Sequence, residues 1–168
     1  LHYYLFLLLF GAFVYACASG GGEQQNKDES AAEDKQEETK KTEKDPMENK
    51  GVGEVKNVEL NDPLDMSMVK DGKAIYEMKC ASCHKLTGQR VVGPGWEGIT
   101  DRRTPEWTMN MITNVEMMLA EDEEAQKMLE ECLVRMPDQN VSIGDARDIL
   151  EFMYYNDGKN IPEGADDI

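Results

Sequence analysis

Two cysteines and a histidine, in the run Cys80-Ala81-Ser82-Cys83-His84, are the residues of this chain best suited to chemistry. Two thiols separated by two residues and followed at once by an imidazole form the attachment pattern for haem c. The thiols add across the vinyl groups of haem, and the imidazole takes one axial site of the iron. The two intervening residues let the sulfurs reach neighbouring pyrrole edges, and the next residue then falls beneath the metal. Two other uses of such a pair fit less well. A structural zinc site wants four Cys or His ligands, and only Cys132 remains in the globular part. A thioredoxin-like redox dithiol belongs to a βαβ context, and no such pattern is found.

The rest of the composition narrows the iron's second ligand. The chain has two histidines, His2 and His84. His2 lies in an apolar leader expected to be removed, so bis-histidine ligation within one mature chain is excluded. Methionine is then the natural protein ligand, and 11 methionines compete. Met66, Met68 and Met78 lie before the attachment site or too near it. Met109, Met111, Met117, Met118, Met128 and Met153 fall in predicted helices, where core filling is the ordinary role of methionine. Met136 falls in a predicted loop, 53 residues after Cys83 and just before the last helix. Pro137 follows it, lacks an N–H and stiffens the loop. Met136 is the expected ligand; Met111, Met117, Met118 and an open sixth site are the alternatives. Trp96 and Trp107 are expected to line the cofactor or to reach a propionate through the indole N–H, with core packing as the plainer role. Arg102 and Arg103 are propionate partners or solvated loop charge.

Helices have to position these groups. Met66 to Lys79 reads as a helix leading into the motif, with Gly72, Ile75 and Tyr76 on one face. Gly88 and Val91-Val92-Gly93-Pro94-Gly95 then break regular structure. Thr104-Pro105-Glu106 is a helix start, with a hydroxyl N-cap and Pro at the first position, and that helix should run to about Asn114. A second, acidic helix is expected from Glu116 or Leu119 to about Leu133. Its run Glu121-Asp122-Glu123-Glu124 reads as a solvated face, or as a docking patch for a basic partner. Ser142 or Gly144-Asp145 starts the last helix, in which Ala146, Ile149, Leu150 and Met153 keep helical spacing. No strand or repeat is evident. The expectation is an all-α domain of about four helices.

The N-terminal third reads differently. Residues 1–16 are almost wholly apolar, shorter than the roughly 20 residues of a membrane span and typical of a signal peptide. Val14-Tyr15-Ala16-Cys17 resembles a bacterial lipobox, although Tyr15 stands where a small residue is usual. That resemblance implies cleavage before Cys17 and its lipidation; the alternative is an ordinary leader cut near Ala16 or Ala18. Residues 17–62 are expected to form a disordered polar tether, because Gly, Glu, Lys, Gln and Asn dominate and little apolar surface is available to offset chain entropy. About 44 such residues span roughly 35–40 Å. Residues 63–158 form the globular domain, and 159–168 a tail. The chain carries a net charge of −16, and from residue 63 onward 21 acidic residues face 11 basic ones. Nucleic acid is therefore an unsuitable partner, and a protein with a basic docking surface is favoured.

With these residues in place, positions from about Pro63 to Asp157 resemble class I (mitochondrial-type) monohaem cytochrome c, in its lipid-tethered bacterial form. The haem motif lies early, as in that class. Gly72 and Tyr76 stand eight and four residues before Cys80, where the family has a small residue and an aromatic that pack the first helix across the last. Ile149, Leu150, Phe152 and Met153 match the family's last-helix residues. Gly93-Pro94 resembles its Gly-Pro, which implies that the Pro94 carbonyl accepts the proximal histidine's proton. Met136-Pro137 resembles its axial Met-Pro. The resemblance implies one covalent haem c held by Cys80 and Cys83, iron between His84 and Met136, and one-electron transfer rather than catalysis. It also implies a place on the periplasmic side of a bacterial membrane, between a quinol-oxidising complex and a haem–copper oxidase or periplasmic reductase such as nitrous oxide reductase. The competing reading is a haem gas sensor or small peroxidase with an open or labile sixth site.

Overall fold

A computed structural model describes residues 45–165 and 168. The leader, Cys17 and the tether up to residue 44 lie outside the described residues. Among the described residues six helices follow one another: α1 (Met66–Lys79), α2 (Ile99–Arg102), α3 (Pro105–Thr113), α4 (Val115–Glu121), α5 (Glu123–Cys132) and α6 (Ile143–Asn156). Among the described residues there is no strand, only an isolated bridge between His84 and Arg90. None of the helices described is long and apolar enough to cross a membrane.

Local chemistry explains where the helices start. Asp65 caps α1 by accepting from the Ser67 N–H, and Thr104 caps α3 by accepting from the Trp107 N–H, with Pro105 at the first turn. Ser142 caps α6 through the Asp145 N–H. The expected acidic helix is two helices. Asn114 caps α4 and Asp122 caps α5. Asp122 takes an extended backbone (φ −95°, ψ 121°) and is 5% exposed, so the Glu121–Glu124 run is not one solvated face. One oxygen of Asp122 accepts from Ala125 N at 2.9 Å and from the indole of Trp107 at 3.0 Å. The signal was present in the chain: an aspartate followed by two glutamates is an N-cap with an acidic first turn. α5 ends at Leu133, in the left-handed region (φ 58°).

The α1–α6 crossing anchors the domain. Val69, Gly72 and Tyr76 are buried on α1, and Ala146, Ile149, Leu150, Phe152 and Met153 on α6. Tyr76 meets Phe152 at 5.5 Å between ring centroids. At Gly72 the helices approach so closely that a Cβ would collide with the backbone carbonyl of Asp148. Neither backbone can yield there, so Gly72→Val is expected to cost about 3 kcal/mol or more, read as a lowered denaturant midpoint.

The tether expectation fails at its C-terminal end. Residues 49–61 form a strap packed on the helices instead of a free coil. Val55 is 7% exposed, and its N–H donates to Asn110 Oδ1 at 3.0 Å. The polar side of its composition is matched by hydrogen bonds to buried side chains of α3 and α6, while Val52, Val55, Val58 and Leu60 add apolar contact. The expected tail is also tied down at its start, where the Asn160 carbonyl accepts from Leu64 N.

Candidate haem site

The Cys80–His84 run leaves α1 in tight turns, with the N–H groups of Cys83 and His84 both donating to the Cys80 carbonyl. Cys80 and Cys83 form no disulfide, and each is partly exposed. Before any attachment of a cofactor, burial pushes the Cys80 thiol up to about 11. The loop folds back through Gly93 N, which donates to the Cys83 carbonyl at 3.0 Å. That places the Pro94 carbonyl 2.8 Å from His84 Nδ1. A carbonyl only accepts, so Nδ1 carries the proton and Nε2 keeps its lone pair. Burial holds the His84 pKa below the usual imidazole range, against the opposing pull of the Pro94 bond. Gly93 lies flat against the ring, and a Cβ there would collide with the imidazole. Tyr76 completes the support: its hydroxyl donates to the His84 carbonyl at 2.8 Å, and its ring lies 4.8 Å from Trp96.

Cys80, Cys83, His84, Gly93 and Pro94 line one cavity of about 630 Å³, a size suited to enclosing a cofactor. Its wall draws on two apolar clusters. The first holds Tyr76, Trp96, Phe152 and Met153, with Cys80 packed against it. The second holds Trp107, Met118, Leu119 and Ala125, with Met111, Met128 and Met136 packed against it. Trp96 stands beside the imidazole, 5.8 Å between centroids.

The methionines separate sharply. Met111, Met128, Met136 and Met153 line the cavity. Met118 is fully buried and its sulfur accepts from Val52 N at 3.1 Å; Met117 is 40% exposed. Neither lines the cavity, which removes two of the alternatives. Met128 sulfur is engaged by Arg103 Nη2 at 3.6 Å, and Met153 belongs to the cluster on the imidazole's side. Met136 and Met111 remain, both half-buried on the opposite cluster.

Other candidates are redirected. Trp107 lines the cavity, but its N–H is committed to Asp122, so it is wall rather than propionate donor. Arg102 donates to the carbonyls of Gly95, Glu97 and Gly98, and Arg103 pairs with Glu124 at 3.4 Å while stacking over Trp107. Two residues were not read as part of the site. Lys79 Nζ donates to the Gln139 carbonyl at 2.8 Å. Arg90 Nη1 donates to the Glu131 carbonyl at 3.2 Å and contacts Cys132 Sγ at 3.3 Å. Together they tie the two ends of the Met136 segment to the motif. Only Lys79, next to Cys80, had a position that hinted at this. Among the described residues no group of three or more His, Cys, Asp or Glu is placed to hold a metal ion directly.

The chemistry of this cavity matches one group. Two cysteines, a neutral imidazole with an available Nε2 and four methionine thioethers line the cavity together with a largely apolar wall. An all-α domain with α1 crossed by α6 over such a cavity defines a class I monohaem c-type cytochrome. The cytochrome c family model matches residues 69–156, and the chain belongs to that family. It is similar to cytochrome c from Rhodothermus marinus, with 29% identity over 63% of this chain and 90% of that one, at a TM-score of 0.61. It is likewise similar to an engineered form, Rma TDE (28% identity, 64% and 92% coverage, TM-score 0.61). That form bound to a carbene intermediate gives 27% identity, the same coverage and a TM-score of 0.58. Comparison with curated proteins gives no significant match. The protein thus carries covalently bound haem c and serves as an electron carrier.

Proposed function

We propose that Cys80 and Cys83 hold the haem through thioether bonds and that His84 Nε2 and the Met136 sulfur take the two axial sites. The observation that carries this is the single cavity lined by Cys80, Cys83, His84 and Met136, with the His84 tautomer set by Pro94. When bound, the group supplies a one-electron ferric–ferrous couple. The chain's part is to keep both axial donors in place in both oxidation states. Pro94 orients the imidazole, Lys79 and Arg90 hold the Met136 segment, and the apolar walls exclude water. A thioether opposite histidine favours ferrous iron and raises the potential relative to more basic ligands. With both sites filled, no substrate position remains.

We further propose that this carrier works outside the cytoplasm, anchored through Cys17, between a quinol-oxidising complex and a haem–copper oxidase or periplasmic reductase. Sequence supports the anchor: an apolar leader, a lipobox-like run, and a polar stretch that gives the domain reach. The net charge of −16 favours partners with basic docking surfaces.

Potentiometry on the purified holoprotein tests the assignment. The expected result is one reversible one-electron wave, with no carbon monoxide uptake by the reduced protein at neutral pH. Rapid uptake would instead mark an open iron and a sensor or peroxidase.

A further inference from the structure

The strap before α1 is tied to the same wall that carries Met136. Its anchor is Asn110, fully buried on α3. Asn110 Nδ2 donates to the carbonyls of Lys50 at 3.0 Å and Val55 at 2.9 Å, and its Oδ1 accepts from Val55 N. The side chain therefore does the work of a strand partner. Gly53 passes so close that a Cβ would collide with the Asn110 amide.

From this anchor, links run to the wall. Val52 N donates to Met118 sulfur, and the Val52 side chain packs on the cluster that also holds Met111 and Met136. Asn49 Nδ2 donates to one oxygen of Asp122 at 2.8 Å. The other oxygen receives the Trp107 indole and caps α5. Trp107 and Ala125 line the cavity, and the far end of α5 feeds the Met136 segment. The later part of the strap goes elsewhere: Arg147 donates to the Glu59 carbonyl, and Asn61 to the buried Glu151, both on α6.

We propose that residues 49–55 position the thioether wall of the haem cavity, so that Asn49 and Val52 set how readily the Met136 sulfur leaves the iron. This rests on the Met136 reading above. The apparent affinity of a competing ligand scales with the fraction of molecules whose site is open. A looser wall therefore shows as easier displacement.

The test is imidazole binding to the ferric holoprotein, measured beside guanidinium unfolding, in Asn49→Ala, Val52→Ala and, as an internal control, Asn61→Ala. Asn49→Ala and Val52→Ala are expected to bind imidazole about tenfold more tightly than the parent. Asn61→Ala should lose stability through Glu151 yet keep the parent's imidazole affinity. Should all three shift affinity in proportion to lost stability, or none shift it, the strap is a general staple and the proposal is overturned. Val52→Ala only trims a partly buried side chain and carries the test if Asn49→Ala does not fold. Failure of the ligand assignment is separable. It appears as an intact ferric thioether band in Met136→Ala, whereas the strap comparison still holds for Met111, which packs on the same cluster.

Discussion

Met136→Ala is expected to open the iron. The ferric thioether-to-iron absorption should vanish, the reduced protein should bind carbon monoxide rapidly, and the potential should fall by roughly a hundred millivolts or more, within the ~0.8 V that axial ligation spans. Of the four cavity-lining methionines, Met128 is engaged by Arg103 and Met153 packs with the imidazole's cluster. Met111 is on a helix, where its reach is set by the α3 backbone. Met136 is in a loop, next to Pro137, and that loop is tied at Gln139 by Lys79. A loop can carry its sulfur to the metal at less cost than a helix can. Met111→Ala is the control and should keep the band. The reverse pattern, with the band kept in Met136→Ala and lost in Met111→Ala, would move the ligand to α3.

A chain cut to start at residue 63, the domain boundary suggested by composition, is expected to fold poorly or not at all. The cut removes every strap partner of Asn110, takes Lys50 and Val58 from Glu106, and takes Asn61 from Glu151. Asn110 and Glu151 are fully buried and Glu106 is 7% exposed. Each buried group left without its partner costs about 1–3 kcal/mol. Asn110 and Glu106 are left so, and Glu151 keeps only Arg147; with the lost burial of Val55 these losses reach the lower end of the about 5–15 kcal/mol of a whole domain. A chain cut to start at residue 45 keeps the strap and should unfold at a clearly higher midpoint than the shorter one. Equal thermal midpoints for the two truncated chains would show that the strap contributes nothing to stability.

Much of the site was legible because its chemistry is local. Cys80, Cys83 and His84 are adjacent, so the haem-attachment pattern they form is readable from spacing alone. Thr104-Pro105 and Ser142 start helices by short-range hydrogen bonds, and both starts are where the pattern placed them. Gly72 and Tyr76 lie one helical turn apart, so the face that α1 turns to α6 is encoded in periodicity. The split between α4 and α5 was missed because Asp122 looks solvated in a run of acids, and the distant Trp107 and Asn49 make its burial favourable.

By itself, then, the chain determined the cofactor and the helical class, because each depends on residues within a turn or two of one another. Only the tertiary structure decided that residues 49–61 are part of the domain, that Met117 and Met118 lie off the cavity, and that Trp107 has no N–H to spare. Those outcomes depend on partners 15 to 90 residues away, and no local pattern encodes which polar group such a partner will satisfy.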